Sequence, residues 1–335
     1  MQNDNRSFCI DQSVASVLGV FNTYTQWKQI HGEPRSYAYY HPSEFGKCLR
    51  KAQYMLYSEL GYIDIPGSSN DSTLQRLFDK GHNMHDRWSR YAQDAGILRG
   101  YWQCKNPLCK MFKDDGLYDS SLDKGSVLKE KPRIYGKETL LGSFEPTECV
   151  CGCKSFDYAE VSVSDPELNM SGHCDMILDF SRLTDDSFNG VEKLFNVKDL
   201  PGGNVVVDMK TCRDSVFKKI GFSGPHEEYI IQLTIYINIL GCDSGLLIYE
   251  CKNSSNISAF KINKNENIFE TIKGQAIILQ DLAKEKKLPP PRPATKADYE
   301  CKNCKFRKIC HSSKIWQSSD LNGYRKSFYK NLLKK

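Results

Sequence analysis

Apolar positions recur at helical spacing from Leu74 to Ala95. At 100° per residue Leu74, Phe78, Gly81, His85, Trp88 and Ala92 share one face, which predicts an amphipathic helix with a histidine near the middle of its apolar side. The same period runs through Val14–Val20 and Leu49–Leu60, so residues 1–60 read as helical. Pro225 opens a helix running to about Leu240, and Glu266–Lys287 forms a further one. Between these the pattern changes to short apolar runs. Val161–Val163, Gly172–Phe180 and Val205–Thr211 read as strands, and Gly245–Cys251 with Ile257–Ile262 as a strand pair. Pro66–Asp71 is a loop, Ser181–Asn204 is a long linker ending Pro201-Gly202-Gly203, and Pro289–Pro291 with Pro293 makes a stiff connector. Residues 101–157 have weak periodicity and two cysteine knuckles, the pattern of an inserted module.

Composition changes the picture in three places. No apolar run reaches membrane-spanning length, and the start MQNDNRSFCIDQS has no signal-peptide core, so the expected compartment is a cytoplasm. The net charge of +5 is uneven. Residues 301–335 carry ten Lys and Arg against the single acid Asp320, which suggests either a polyanion partner or a solvated tail. Fourteen cysteines in a chain without a secretory signal point to metal ligation rather than disulfides. They cluster as Cys301, Cys304 and Cys310, and as Cys104, Cys109, Cys149, Cys151 and Cys153.

The candidate chemistry lies on the strands. Side chains two apart on a strand share a face, so Asp208 and Lys210 point the same way, and Asp175 can face them from a neighbouring strand. Carboxylates and the Met209 carbonyl suit Mg²⁺ or Mn²⁺. Lys210 supplies positive charge where charge develops on a phosphate. His85 is a further candidate ligand, although a histidine on an apolar helix face is more often a core residue bonded to a carbonyl. His82 sits at the edge of that face, and His173 shares a strand face with Asp175. Gln232 and Tyr236 stack four apart on the next helix, able to reach the site or to form a polar seam within the core.

The order helix-His, strand-Asp, strand-Asp-x-Lys, helix-Gln-x-x-x-Tyr resembles the PD-(D/E)XK nuclease superfamily, and within it the RecB-like exonucleases, from about Leu74 to Cys310. The resemblance implies an α/β fold with a restriction-endonuclease-like core, a mixed central sheet flanked by helices. In that reading residues 74–100 and 158–290 form the core and 101–157 the insertion. Residues 1–73 carry one cluster cysteine and 291–335 the other three. His85, Asp175, Asp208 and the Met209 carbonyl then hold the metal, Lys210 is the catalytic lysine, and Gln232 and Tyr236 match the family's helical motif. Asp208 stands where the commoner residue is Glu. In CRISPR-adaptation nucleases and related helicase-nucleases, three closely spaced cysteines are joined by a distant upstream one around a [4Fe–4S] cluster. By that resemblance Cys48 joins Cys301, Cys304 and Cys310, a ligand set that zinc would also accept. Cys104 and Cys109 with two of Cys149, Cys151 and Cys153 read as a structural zinc ribbon.

The expected function is a metal-dependent DNA exonuclease. No Walker-type motif is present, so any helicase or recombination protein is a separate partner. The competing reading is a catalytically idle nucleic-acid-binding module that keeps the fold.

Overall fold

The structure is a computed structural model that describes residues 12–31, 36–64, 72–123, 131–192, 194–292 and 299–312. Lys314 and the basic residues after it lie outside the described residues, as does Cys9. The elements run α1 (Gln12–His31), α2 (Leu49–Glu59), α3 (Ser72–Asp94), β1 (Leu98–Arg99), β2 (Tyr101–Cys104), β3 (Ile134–Tyr135), β4 (Phe156–Ala159), β5 (Val161–Asp165), β6 (Met170–Cys174) and β7 (Met176–Asp179). There follow β8 (Asn204–Cys212), α4 (Asp214–Ser223), α5 (Glu227–Ile239), β9 (Ser244–Cys251), β10 (Ile257–Asn263), α6 (Glu266–Lys284), α7 (Tyr299–Lys302) and α8 (Arg307–Ser312).

The chain is mixed α/β. Its five-stranded sheet has the order β1-β7-β8-β9-β10, parallel between β8 and β9 and antiparallel elsewhere. A parallel pair needs a crossover, and α4 with α5 provides it. Strand alternation sorts β8 between two cores. Val206 packs with Leu233, Tyr236 and Ile237 of α5, whereas Val207 and Met209 pack with Met84 and Ala92 of α3. Asp208 and Lys210, in step with Val206, therefore lie on the α5 side. Leu233 and Ile235 of α5 are fully buried. Burying such a side chain contributes about 1.5–3 kcal/mol, enough to fix the helix bearing Gln232.

Several expectations differ in detail. The run Gly172–Phe180 is two strands, broken at Asp175 where the chain leaves its pairing with β5 and joins β8. α4 was not expected: only Ile220 of its apolar residues is fully buried, and the segment is short. The inserted module is a three-stranded sheet in the order β3-β2-β4, and β4 carries it to Ala159. Part of the expected α3 face is not buried: Leu77 and Phe78 are exposed, whereas Met84, Trp88 and Ala92 pack into the core. Among the described residues no helix is long and apolar enough to cross a membrane.

Candidate functional site

The break at Asp175 positions that side chain. Its Oδ2 accepts the Met209 N–H at 2.6 Å, which anchors the carboxylate to the middle of β8, and its Oδ1 lies 3.3 Å from His85 Nδ1. The His85 ring also faces the Met209 backbone acceptor. The imidazole and carboxylate from α3 and the β6–β7 junction thus converge on β8, beside Asp208. Lys210 Nζ donates to Asp208 Oδ1 at 2.9 Å, approaches Oδ2 at 2.7 Å, and donates to Gln232 Oε1 at 3.3 Å. The Gln232 amide nitrogen then donates to Asp208 Oδ1 at 3.2 Å and to the Tyr236 hydroxyl at 3.1 Å. The tyrosine hydroxyl sits beside Gly172, where a Cβ would come 3.0 Å from Pro42 and 3.4 Å from that hydroxyl. Glycine there lets the two elements close over the site.

His85, Asp175, Asp208, Met209, Lys210, Gln232 and Tyr236 are therefore brought together. Sequence reasoning missed one member, Glu160. Its carboxylate, the His85 ring nitrogen and the Asp175 carboxylate lie within 4.8 Å of one another, a spacing at which three side chains can hold a metal ion. Glu160 stands between β4 and β5 in a polar stretch, Asp157-Tyr158-Ala159-Glu160, that looks like any exposed turn. His82 and His173 are exposed and lie outside this group.

The electrostatics fit a crowded anionic site. Desolvation, then the carboxylates of Asp175, Asp86 and Asp208, push Glu160 up to about 7. The residue is open to solvent, so the neighbouring carboxylates are the firmer cause. Burial pushes Asp208 up to about 6 against the pull of Lys210, and Asp175 adds to the rise. Asp175 is also raised by burial. Burial disfavours the Lys210 ammonium, but Asp208 and Asp175 more than offset this and hold its pKa above the usual lysine value. Burial and the Lys210 charge lower His85, which leaves the neutral imidazole that a metal requires. Asp208 Oδ2 is buried without a well-directed hydrogen bond, and the Lys210 ammonium at 2.7 Å is what compensates its charge.

The two cysteine groups also assemble. Cys104 at the end of β2, Cys109 in the turn after it, Cys149 and Cys151 place four sulfurs within 4.8 Å, an arrangement that can hold a metal. Cys104 and Cys151 are 3.6 Å apart and Cys109 and Cys149 3.3 Å. Cys153 falls outside this set, with its thiol turned to the Ser155 carbonyl at 3.3 Å. The Tyr135 hydroxyl donates to Cys149 Sγ at 3.2 Å, a contact the sequence did not signal. Burial disfavours the Cys149 thiolate, but the Cys151 N–H, the Tyr135 hydroxyl and Cys109 bring the thiol down to about 7.

Cys48, Cys301, Cys304 and Cys310 line one recess of about 370 Å³, measured out to solvent, together with Tyr54 and Phe306. Cys48 caps α2, and its N–H donates to Glu300 at 2.6 Å, which draws the two distant segments together. Burial raises the Cys48 and Cys304 thiols and pushes Cys301 to about 11. Of the expected basic grip, Lys305 and Arg307 are exposed beside this recess, and Lys302 and Lys308 are exposed on α7 and α8.

No family model and no curated protein matches the chain. Among solved structures, that titled "Crystal structure of SSO0001" aligns with a TM-score of 0.42 and 12% identity over 89% of this chain and 97% of that one.

Proposed function

We propose that the protein is a metal-dependent deoxyribonuclease with a RecB-like PD-(D/E)XK core, acting on DNA ends. The observation that carries the reading is the convergence of His85, Glu160 and Asp175 on one spot, with Asp208 close enough to interact electrostatically and paired to the protonated Lys210. The donor set is imidazole, carboxylate and carbonyl, the oxygen and nitrogen ligands that suit such an ion. His85, Asp175, Asp208, Glu160 and the Met209 carbonyl would hold Mg²⁺ or Mn²⁺. Such an ion supplies polarisation of the phosphate and activation of the attacking water.

The remaining work falls to the chain itself. Lys210 is held as an ammonium and stabilises the charge that develops on the scissile phosphate. Gln232 bridges Lys210 and Asp208, so the amine and the carboxylate keep a fixed relation. Tyr236 in turn fixes which way the Gln232 amide faces. His85 stays neutral and so keeps its lone pair.

The cysteine sites support two different occupants. Tetrahedral zinc with Zn–S near 2.3 Å spaces its sulfurs about 3.8 Å apart. The spacings in the Cys104, Cys109, Cys149 and Cys151 set approach that value, so this module takes Zn²⁺. The Cys48, Cys301, Cys304 and Cys310 thiols line a single recess, and a set of four thiolates suits a [4Fe–4S] cluster.

Incubating the purified protein with end-labelled linear single- and double-stranded DNA tests the activity. Loss of label or shortening from an end in Mn²⁺ or Mg²⁺, suppressed by EDTA, is expected. Tight metal-independent binding with no cleavage in either ion would overturn the proposal in favour of an idle binding module.

A further inference from the structure

A groove beside the metal-binding centre is left unused by the chemistry above. It begins at Gly46-Lys47. Gly46 has φ +81°, and a Cβ there would lie 2.9 Å from Ile231 Cδ1 and 3.0 Å from Glu228 Cα. Glycine thus allows the turn before α2 to press against α5, the helix that carries Gln232. The close approach brings Lys47 Nζ to 5.9 Å from the Tyr229 ring centroid, and Lys210 Nζ lies 4.8 Å from the same centroid. Lys47 therefore neighbours the lysine of the candidate active centre. Its own pKa is lowered by burial, and among the charges around it Glu228 opposes the fall while Lys210 and Lys51 deepen it.

Lys51 follows on α2 one turn later, about 6 Å along the helix axis. Lys305 comes next. Its ammonium is within reach of the Lys51 charge, 6.0 Å from the Tyr37 ring centroid and 5.4 Å from that of Phe306. Lys47, Lys51 and Lys305 line a groove of about 840 Å³, measured out to solvent, with Tyr37 on its wall. Two acids, Glu44 and Glu300, also line it, but each is engaged by backbone. Glu44 accepts the His41 N–H at 3.0 Å and Glu300 the Cys48 N–H at 2.6 Å.

Four amines in series, from Lys210 through Lys47 and Lys51 to Lys305, repel one another. An anion laid between them removes the repulsion, and a chain of anions at regular spacing does so along the whole groove. Aromatic faces interleaved with cations are the surface that a single nucleic-acid strand uses, phosphates on the amines and bases or sugars on the rings.

We infer that this groove guides the phosphates of single-stranded DNA from the Cys48–Cys301 end of the molecule to the Asp208–Lys210 centre, with Lys47, Lys51 and Lys305 as positioning residues. The inference rests on the proposed nuclease reading and assigns its substrate path. It also narrows the basic C-terminal segment to one contributor, Lys305, in the described part of the path.

Fluorescence anisotropy of a fluorescein-labelled oligothymidylate tests it, with the metal-loaded protein in EDTA-free, Ca²⁺-containing buffer over a salt series. The triple variant Lys47→Gln/Lys51→Gln/Lys305→Gln should bind at least about tenfold more weakly at low salt. Its log–log salt slope should fall by about 0.7 per lysine, or about 2 in all. The variant Lys264→Gln/Lys284→Gln/Lys287→Gln removes the same charge from exposed positions around α6 and should match wild type. If the triple variant fails to fold, as judged by circular dichroism, Lys51→Gln alone should lower the slope by about 0.7. Wild-type curves for the groove variants, or an equal loss in the α6 control, would overturn the path. Cleavage in Mn²⁺ is read separately. Cleavage by wild type with unchanged binding by the groove variant sinks the path and spares the nuclease. A reduced slope with no cleavage by wild type does the reverse.

Discussion

At the scale of single residues the site is an anionic pocket held together by one lysine. Lys210 touches Asp208 directly and is felt by Asp175, so removing it leaves two buried carboxylates facing each other. Breaking such a pair costs about 3–5 kcal/mol. Lys210→Ala should therefore lower the thermal stability of the metal-free protein more than Asp208→Asn does, because the amide keeps the shape and removes a repelling charge. Both variants should lose cleavage, and Mn²⁺ should restore much of the lost stability in Lys210→Ala alone. Scanning calorimetry with and without Mn²⁺ reads this, and equal stability of the two metal-free variants would count against the pairing.

The pH dependence follows from the same groups. Asp208 at about 6 and Glu160 at about 7 are raised above the ordinary carboxylate value. The folded metal-free protein thus holds protons that the unfolded chain releases. Their stabilisation is complete below the unfolded pKa of about 4 and is lost as pH rises through about 6–7. In EDTA the melting temperature should fall over that window. Divalent metal needs the ionised carboxylates, so its affinity should fall as pH drops below about 7, measured by calorimetric titration. A melting temperature that climbs steadily from pH 5 to 7.5 in EDTA would contradict the assignment of these shifts. Of the residues involved, Asp208 and Lys210 were legible because strand alternation and the Asp-x-Lys spacing set their faces, whereas Asp175 is aimed by the break between β6 and β7 rather than by a strand face. Glu160 was not, because a glutamate in a polar junction carries no local signal until the fold brings β5 beside the β6–β7 break.

At the scale of elements, long amphipathic or wholly apolar segments were readable and short or strained ones were not. α3, α5, α6 and β8 match their expected spans to within a few residues, since each carries its apolar positions in a continuous stripe or run, although Phe78 in the α3 stripe stays exposed. The two-residue strands β1 and β3 carry too few positions for any period to show. The inserted module shows how spacing alone falls short. Five cysteines competed for four places, and only the fold of β2 against β4 and the 149–153 turn turns Cys153 away from the rest. Cys153→Ala should accordingly keep the bound zinc. Cys151→Ala should lose it and loosen the three-stranded sheet, since that sheet has little other core than Trp102, Phe156 and Tyr135. Metal content by mass spectrometry, together with hydrogen exchange across residues 101–159, distinguishes the two variants. Equal zinc loss in both would mean that Cys153 is a ligand in solution.

At the scale of the whole molecule the question is what holds residues 36–64 against residues 299–312. The direct contacts include the Cys48 N–H to Glu300, the stacked Tyr54 and Phe306 rings at 5.0 Å, Lys305 Nζ 6.0 Å from the Tyr37 ring centroid, and a cluster of Tyr54, Met55, Phe306 and Cys310. Arg50, buried beside them, donates to the Pro289 carbonyl at 3.0 Å. α7 and α8 span four and six residues, too short to be stable without tertiary support. A group bound by Cys48 on one side and Cys301, Cys304 and Cys310 on the other closes a loop of roughly 250 residues, for which chain entropy gives about 5 kcal/mol of stabilisation. Removing one ligand should therefore act on the ends of the chain before it acts on the sheet. In Cys304→Ala iron and brown colour should be lost together. Trypsin should then cleave among Lys302, Lys305, Arg307 and Lys308 well before it reaches β8. Phe306→Ala tests the packing alone and should expose the same sites more slowly while iron is retained. Because Lys305 travels with this segment, Cys304→Ala should also weaken binding to oligothymidylate, although no side chain of the groove has been changed. An iron-free Cys304→Ala protein with a wild-type digestion pattern would show that the hydrophobic cluster by itself fastens the two ends.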